Sequence, residues 1–147
     1  MIDRNQIGRK LPAYTVEVEK GRLRFFAKAI GETNPLFWDE QVAKDAGYRS
    51  LPAPPTFAFC LLQDVPNSFQ VLEDLGADLK NILHGEQSFT FHKVICAGDK
   101  LTVERCISDI YAKKGGQLEF VVQESSMVNA LGEVVAELRT VLIQRNV

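Results

Sequence analysis

Thr56-Phe57-Ala58-Phe59-Cys60-Leu61-Leu62 carries no polar side chain after its first residue, and Pro54-Pro55 stand directly before it. Proline suits the first turn of a helix, where a backbone N–H lacks a partner in any case. The stretch reads as a helix that is apolar on every side and ends near Gln63-Asp64-Val65-Pro66. A helix of this kind is buried all round, not laid on a surface. Something else in the chain must wrap it.

The second half of the sequence supplies a wrapper. From about Ile82 onward the pattern is that of antiparallel strands, with Phe89 and Phe91 alternating with Ser88 and Thr90. Ala97-Gly98-Asp99-Lys100 makes a turn, after which Leu101, Val103 and Ile107 alternate with Thr102, Glu104 and Cys106. Lys113-Lys114-Gly115-Gly116 is a solvated turn before Leu118, Phe120 and Val122. Asn129-Ala130-Leu131-Gly132 leads into a last strand over Glu133 to Gln144. Long strands joined by short glycine-containing turns predict a meander.

Upstream of the apolar helix, Tyr14, Val16 and Val18 alternate with polar residues, which predicts a short strand after Pro12. Leu23, Phe26, Ala27 and Ile30 then fall on one helical face that Gly31 can end. A second short helix is expected from Glu40 to Ala46, stopping near Gly47. A helix followed by strands that enclose it is an α+β arrangement. It is the layout of the hotdog fold, a curved antiparallel sheet wrapped around a central apolar helix. No internal repeat, low-complexity tract or linker interrupts residues 1–147, so one domain is expected.

With 147 residues, the chain is long enough for one sizeable core. Hydrophobic residues make up 46% and charged residues 24%, a balance ordinary for globular proteins. The formal net charge of −2 gives no electrostatic reason to expect nucleic acid or an anionic membrane as a partner. No apolar run approaches the roughly 20 residues of a spanning helix, and the N-terminus lacks a signal-peptide layout. A cytoplasmic location is expected. Cys60, Cys96 and Cys106 are odd in number and lack Cys-x-x-Cys spacing, so buried reduced thiols are expected. Neither a metal nor a cofactor is called for.

Four landmarks carry a resemblance. They are Phe26-Ala27-Lys28-Ala29-Ile30-Gly31-Glu32-Thr33-Asn34-Pro35, then Ala43-Lys44-Asp45-Ala46-Gly47-Tyr48, then Leu51-Pro52-Ala53-Pro54-Pro55-Thr56-Phe57, and finally Val94-Ile95-Cys96-Ala97-Gly98-Asp99-Lys100-Leu101. In this order and spacing the chain resembles the MaoC-like (R)-specific enoyl-thioester hydratases and dehydratases. That family's signature is Gly-Asp-x-Asn-Pro-x-His, and its central helix opens on Ala-His-Gly. The resemblance implies reversible syn addition of water across the C2–C3 double bond of an enoyl thioester. Such chemistry needs an Asp–His pair to exchange protons. It also needs a backbone N–H to hold the thioester oxygen, and an apolar tunnel for the acyl chain.

All three devices are altered here. Glu32 stands in place of the Asp and is one methylene longer; a displacement of about 1 Å in a base can cost on the order of 10²-fold in rate. Phe37 stands in place of the His and exchanges no proton. Pro55 stands in place of the Gly and has no N–H to donate. The Ala-Pro-Pro-Thr-Phe helix start and the Ala-Gly-Asp-Lys-Leu turn resemble the substrate-binding subunits of (3R)-hydroxyacyl-carrier-protein dehydratases, whose own Asp and His are missing.

By that resemblance Glu32 is the one candidate catalytic group, and Asn34, Phe37, Tyr48, Pro55, Thr56 and Phe57 are candidates for contact with substrate. Plainer roles stand beside these. Glu32, Asn34 and Pro35 are also turn and capping residues, and Phe37 and Trp38 are also core or interface aromatics. His84, beside Glu86, and His92 are the only imidazoles, and each is also a plain sheet histidine. Their spacing makes no metal site. The expected function is the acyl-accommodating subunit of a hydro-lyase on acyl-CoA or acyl-carrier-protein thioesters, dimerised with a catalytic hotdog. Two alternatives stay open. One is a self-sufficient homodimeric hydratase or thioesterase using Glu32 with His84 or His92; the other is a non-enzymatic acyl-thioester binding module.

Overall fold

The computed structural model describes residues 2–146. Five strands, β1 (Lys10–Glu17), β2 (Ile82–Phe91), β3 (Lys100–Lys113), β4 (Leu118–Val128) and β5 (Val134–Arg145), form one antiparallel sheet in the order β1-β3-β4-β5-β2. Four helices accompany it: α1 (Lys20–Ala29), α2 (Glu40–Asp45), α3 (Phe57–Leu62) and α4 (Gln70–Asp74). The central helix α3 packs on one face of the sheet, as a hotdog requires. Leu101, Val103, Met127, Ala136 and Leu138 meet Phe57, Ala58, Leu61 and Leu62 in one core.

Several sequence expectations need correction. β3, β4 and β5 form the expected meander, but β2 crosses to the far edge beside β5 and does not neighbour β3. β1 begins ahead of Pro12, not after it. A register shift between Leu11 and Tyr14 absorbs the proline, which an edge strand tolerates at a bulge. Helix α4 gave no periodic signal in the sequence; Leu72 and Leu75 of this segment are nonetheless buried. The central helix is not buried all round, because Phe59 and Cys60 are only half-buried. Of the cysteines, Cys96 is buried while Cys60 and Cys106 are half-buried.

Phe120 and Val122 of β4 lie outside the core around α3. Phe120 and Val122 join Val141 in a separate cluster. The Tyr111 ring stacks on Phe120 at 4.6 Å, and the Lys113 ammonium lies over both rings. Val121 belongs instead with Ile107, Ile110 and Leu75. The next residues of that phase, Gln123 and Ser125, therefore share Val121's side of the strand.

Helix α1 buries Leu23 and Ala27 completely, but Ile30 falls past the last turn and is half exposed. Gly31, at φ 71°, closes the helix. The Gly31 N–H donates to Lys28 O and the Glu32 N–H to Ala27 O, at 3.2 and 2.9 Å. This is a Schellman cap, which a glycine at the left-handed position permits. Helix α2 ends the same way, with Gly47 at φ 93° and the Tyr48 N–H donating to Ala43 O at 3.0 Å. Glu32 and Tyr48 thus hold equivalent places, each fixed as the residue just after a helix-ending glycine.

Candidate functional site

Glu32 is held by the turn it begins. Its Oε1 accepts the Asn34 N–H at 2.8 Å, and Asn34 Oδ1 accepts the Leu36 N–H at 3.0 Å. Asn34 thereby caps the 3-10 turn Pro35–Phe37. A carboxylate that accepts a backbone N–H two residues on is an Asx-like turn device. Phe37 is half-buried, Asn34 is exposed, and Tyr48 packs partly against the core.

At the start of α3, Pro54 is buried while Pro55 and Thr56 are exposed. The Phe57 N–H is taken by Pro54 O at 2.9 Å. Phe57 itself is 2% exposed and meets Phe26 edge-on at 5.4 Å. Its ring faces the core.

The imidazoles have other partners. His84 Nε2 lies 3.2 Å from the backbone carbonyl of Glu86, while the Glu86 carboxylate accepts from Arg139. His84 packs against Phe59 at 5.1 Å between ring centres. His92 Nε2 lies 2.7 Å from Glu137 Oε2. Among the described residues, no hydrogen bond joins Glu32 to either imidazole.

Sequence reasoning missed the chemistry on the helix side of the sheet. Tyr14 of β1 donates its hydroxyl to Leu61 O and Leu62 O at 3.0 and 2.9 Å, satisfying carbonyls at the end of α3. Burial pushes its phenol up to about 12 against the opposing pull of Arg105. The Arg105 guanidinium stacks on the Tyr14 ring at 5.0 Å. A signal was available, since Arg105 occupies the inward phase between Val103 and Ile107. Elsewhere, Lys20 at 2.6 Å and Lys44 at 3.2 Å hold the Glu40 carboxyl down at about 2. Burial raises the Cys60 and Cys96 thiols, which leaves them poor nucleophiles. No described helix is long and apolar enough to cross a membrane.

A curved antiparallel sheet on a short apolar helix is the architecture of a hotdog protein. Residues 5–138 match the family model described as FAS1-like, dehydratase domain region. A UPF0336 protein of Saccharopolyspora erythraea is 35% identical over 147 residues, which is 98% of this chain and 92% of that protein. One chain of the truncated HadBC complex, a 3R-hydroxyacyl-ACP dehydratase of Mycobacterium tuberculosis, superposes with a TM-score of 0.82 at 31% identity. That match covers 94% of this chain and 96% of the other. A MaoC-like dehydratase gives a TM-score of 0.85 at 23% identity, covering 96% of this chain and 42% of the longer one; it shows the fold alone. The chain belongs to the FAS1-like dehydratase-region family, and its fold is that of the MaoC-like dehydratases.

Proposed function

We propose that this chain is the acyl-accommodating, catalytically silent subunit of a hydro-lyase acting on 3-hydroxyacyl and enoyl thioesters. A second hotdog with an intact Asp–His pair performs the proton transfers. The observation that carries the reading is the state of the motif. Glu32 spends an oxygen on the Asn34 N–H, and the phenyl ring of Phe37, which transfers no proton, fills the last position of the motif. Pro55 in turn removes the N–H that would steady a thioester oxygen.

Partner binding is supported by the edge of the sheet. β2 has β5 on one side only. Leu83 and Phe91 are exposed along it, and Phe59 of α3 stands half-buried nearby against His84. An unpaired strand edge bordered by apolar side chains is a template for association. The complexes of HadBC and of ChsH1–ChsH2 are assemblies of this kind of chain. Thr56, Tyr48 and Phe37 remain the side chains we assign to shaping the thioester path.

One observation favours the second reading, a self-sufficient enzyme. The His92–Glu137 pair is a carboxylate-oriented imidazole of the sort general bases use. Hydration of enoyl-CoA by the purified chain, followed at the loss of conjugated-thioester absorbance, separates the two. The silent-subunit reading expects no turnover alone and full turnover once an intact hotdog partner is co-purified. Turnover by the chain alone would overturn it in favour of the second.

A further inference from the structure

Helix α1 is lopsided in charge. Its ten residues hold four cations, Lys20, Arg22, Arg24 and Lys28, and no carboxylate, in a chain whose formal net charge is −2. Two of the four are neutralised from other segments, Lys20 by Glu40 of α2 at 2.6 Å and Arg22 by Asp64 at 2.5 Å. Among the described residues, no ion pair joins Arg24 or Lys28 to a carboxylate. Spaced four apart, these two share one face of the helix. Phe25 lies next to them, 75% exposed and turned away from the buried Leu23 and Ala27.

The same face continues beyond the helix. The Arg24 Nε–H donates to Trp38 O at 3.0 Å, which ties α1 to the residue directly after Phe37. Trp38 is itself 44% exposed. Cations and aromatic rings thus stand together in solvent at the border of the turn from Glu32 to Phe37. None of the four residues lines either of the cavities beside the sheet, of about 570 and 320 Å³. Small-molecule sites are concave, whereas the outside of a helix is convex. Arg, Phe and Trp are also the residue types that protein–protein interfaces enrich and that carry most of their binding energy.

We propose that the outward face of α1 docks an acidic carrier protein, so that the silent chain supplies the surface on which the acyl thioester is delivered. The inference rests on the subunit reading above, under which the substrate arrives either on CoA or on a carrier protein. The two call for different surfaces. The nucleotide of CoA needs a cleft that encloses its base and phosphates. A carrier protein needs a broad outward face, with cations for its carboxylates and an apolar centre that excludes water. Arg24 and Lys28 supply the cations, and Phe25 the centre. Opposite charge also steers the encounter and fixes its register. The face lies on a different element from the open β2 edge, which stays free for the partner hotdog.

Trp38 is the one tryptophan of the chain, so its emission reports on the patch. Titration of the full chain with a decanoyl-loaded, tryptophan-free acidic carrier protein changes that emission saturably. The affinity falls at least about tenfold between about 0.05 and 0.5 M salt, as screening shortens the reach of the charges. Lys28→Glu and Phe25→Ser, each with unchanged circular dichroism, weaken binding at least about tenfold. No saturable change, or folded variants that bind as the wild type does, overturns the proposal. Equal weakening of decanoyl-CoA by the two variants overturns it too, and assigns the patch to the nucleotide. Binding of phosphatidylglycerol vesicles through the same residues, without binding of the carrier protein, overturns it in favour of a lipid surface. The titration is read without turnover. A chain that hydrates enoyl-CoA alone would sink the silent-subunit reading and leave the docking result standing, so the two failures remain separate.

Discussion

The hydroxyl of Tyr14 on the edge strand β1 donates to the carbonyl of Leu62, 2.9 Å away at the last turn of the central helix. The bond joins residues 48 apart in sequence. It ties the first strand to the element around which the sheet curls, and its ring carries the Arg105 guanidinium. One side chain thereby caps the helix and packs against a cation of the neighbouring strand.

Tyr14→Phe is expected to lower stability by about 0.5–1.5 kcal/mol, the net worth of a typical hydrogen bond. The wild type should also show an alkaline limb that the variant lacks. Burial raises the phenol from 10.0 to about 12, so the neutral form is favoured in the folded chain. The associated stability is fully present below pH 10 and is lost as pH rises through about 12. Thermal melts across that window, in both proteins, check the difference.

Glu32→Gln should leave the activity of a reconstituted complex within a few-fold of wild type. The amide oxygen still accepts the Asn34 N–H, so the turn survives. A fall of about a hundredfold or more, the scale expected for removing a working base, would show that Glu32 takes part in the chemistry.

Restoring the family's acid–base pair alone should not restore catalysis. The double variant Glu32→Asp with Phe37→His stays inactive because Pro55 offers no N–H to the thioester oxygen. Adding Pro55→Gly to it gives measurable enoyl-CoA hydration. Turnover by the double variant would show that the start of α3 is not a third missing device.

Gly85→Ala should destabilise the chain by about 1–3 kcal/mol, as overpacking does. A Cβ at Gly85 would lie 2.6 Å from Ile143 Cδ1 and 3.2 Å from the Val141 carbonyl oxygen. Gly85 sits at the register shift where β2 meets β5. Placing Ile143→Ala in the same chain relieves the side-chain clash, so urea denaturation should give a double variant more stable than the two single losses added together.

What the sequence alone determined is local. The unbroken apolar run from Phe57 to Leu62 called for a wrapping sheet, and the alternation in β3 to β5 supplied one. Gly31 and Gly47 marked helix ends because only a left-handed residue closes those caps. That Phe37 exchanges no proton and Pro55 has no N–H was legible too, since each is a property of the residue itself. Tertiary structure decided what depends on distant partners. The pairing of β2 with β5 and not with β3 follows from contacts far apart in the chain, on which local pattern is silent. The same holds for Arg105 and Gln123. Their strand phase is legible, with Arg105 between Val103 and Ile107, but only the packing over the sheet leaves Arg105 Nε and Gln123 Nε2 buried without a partner. Burial is set by what lies above a side chain, and no neighbour along the strand records it.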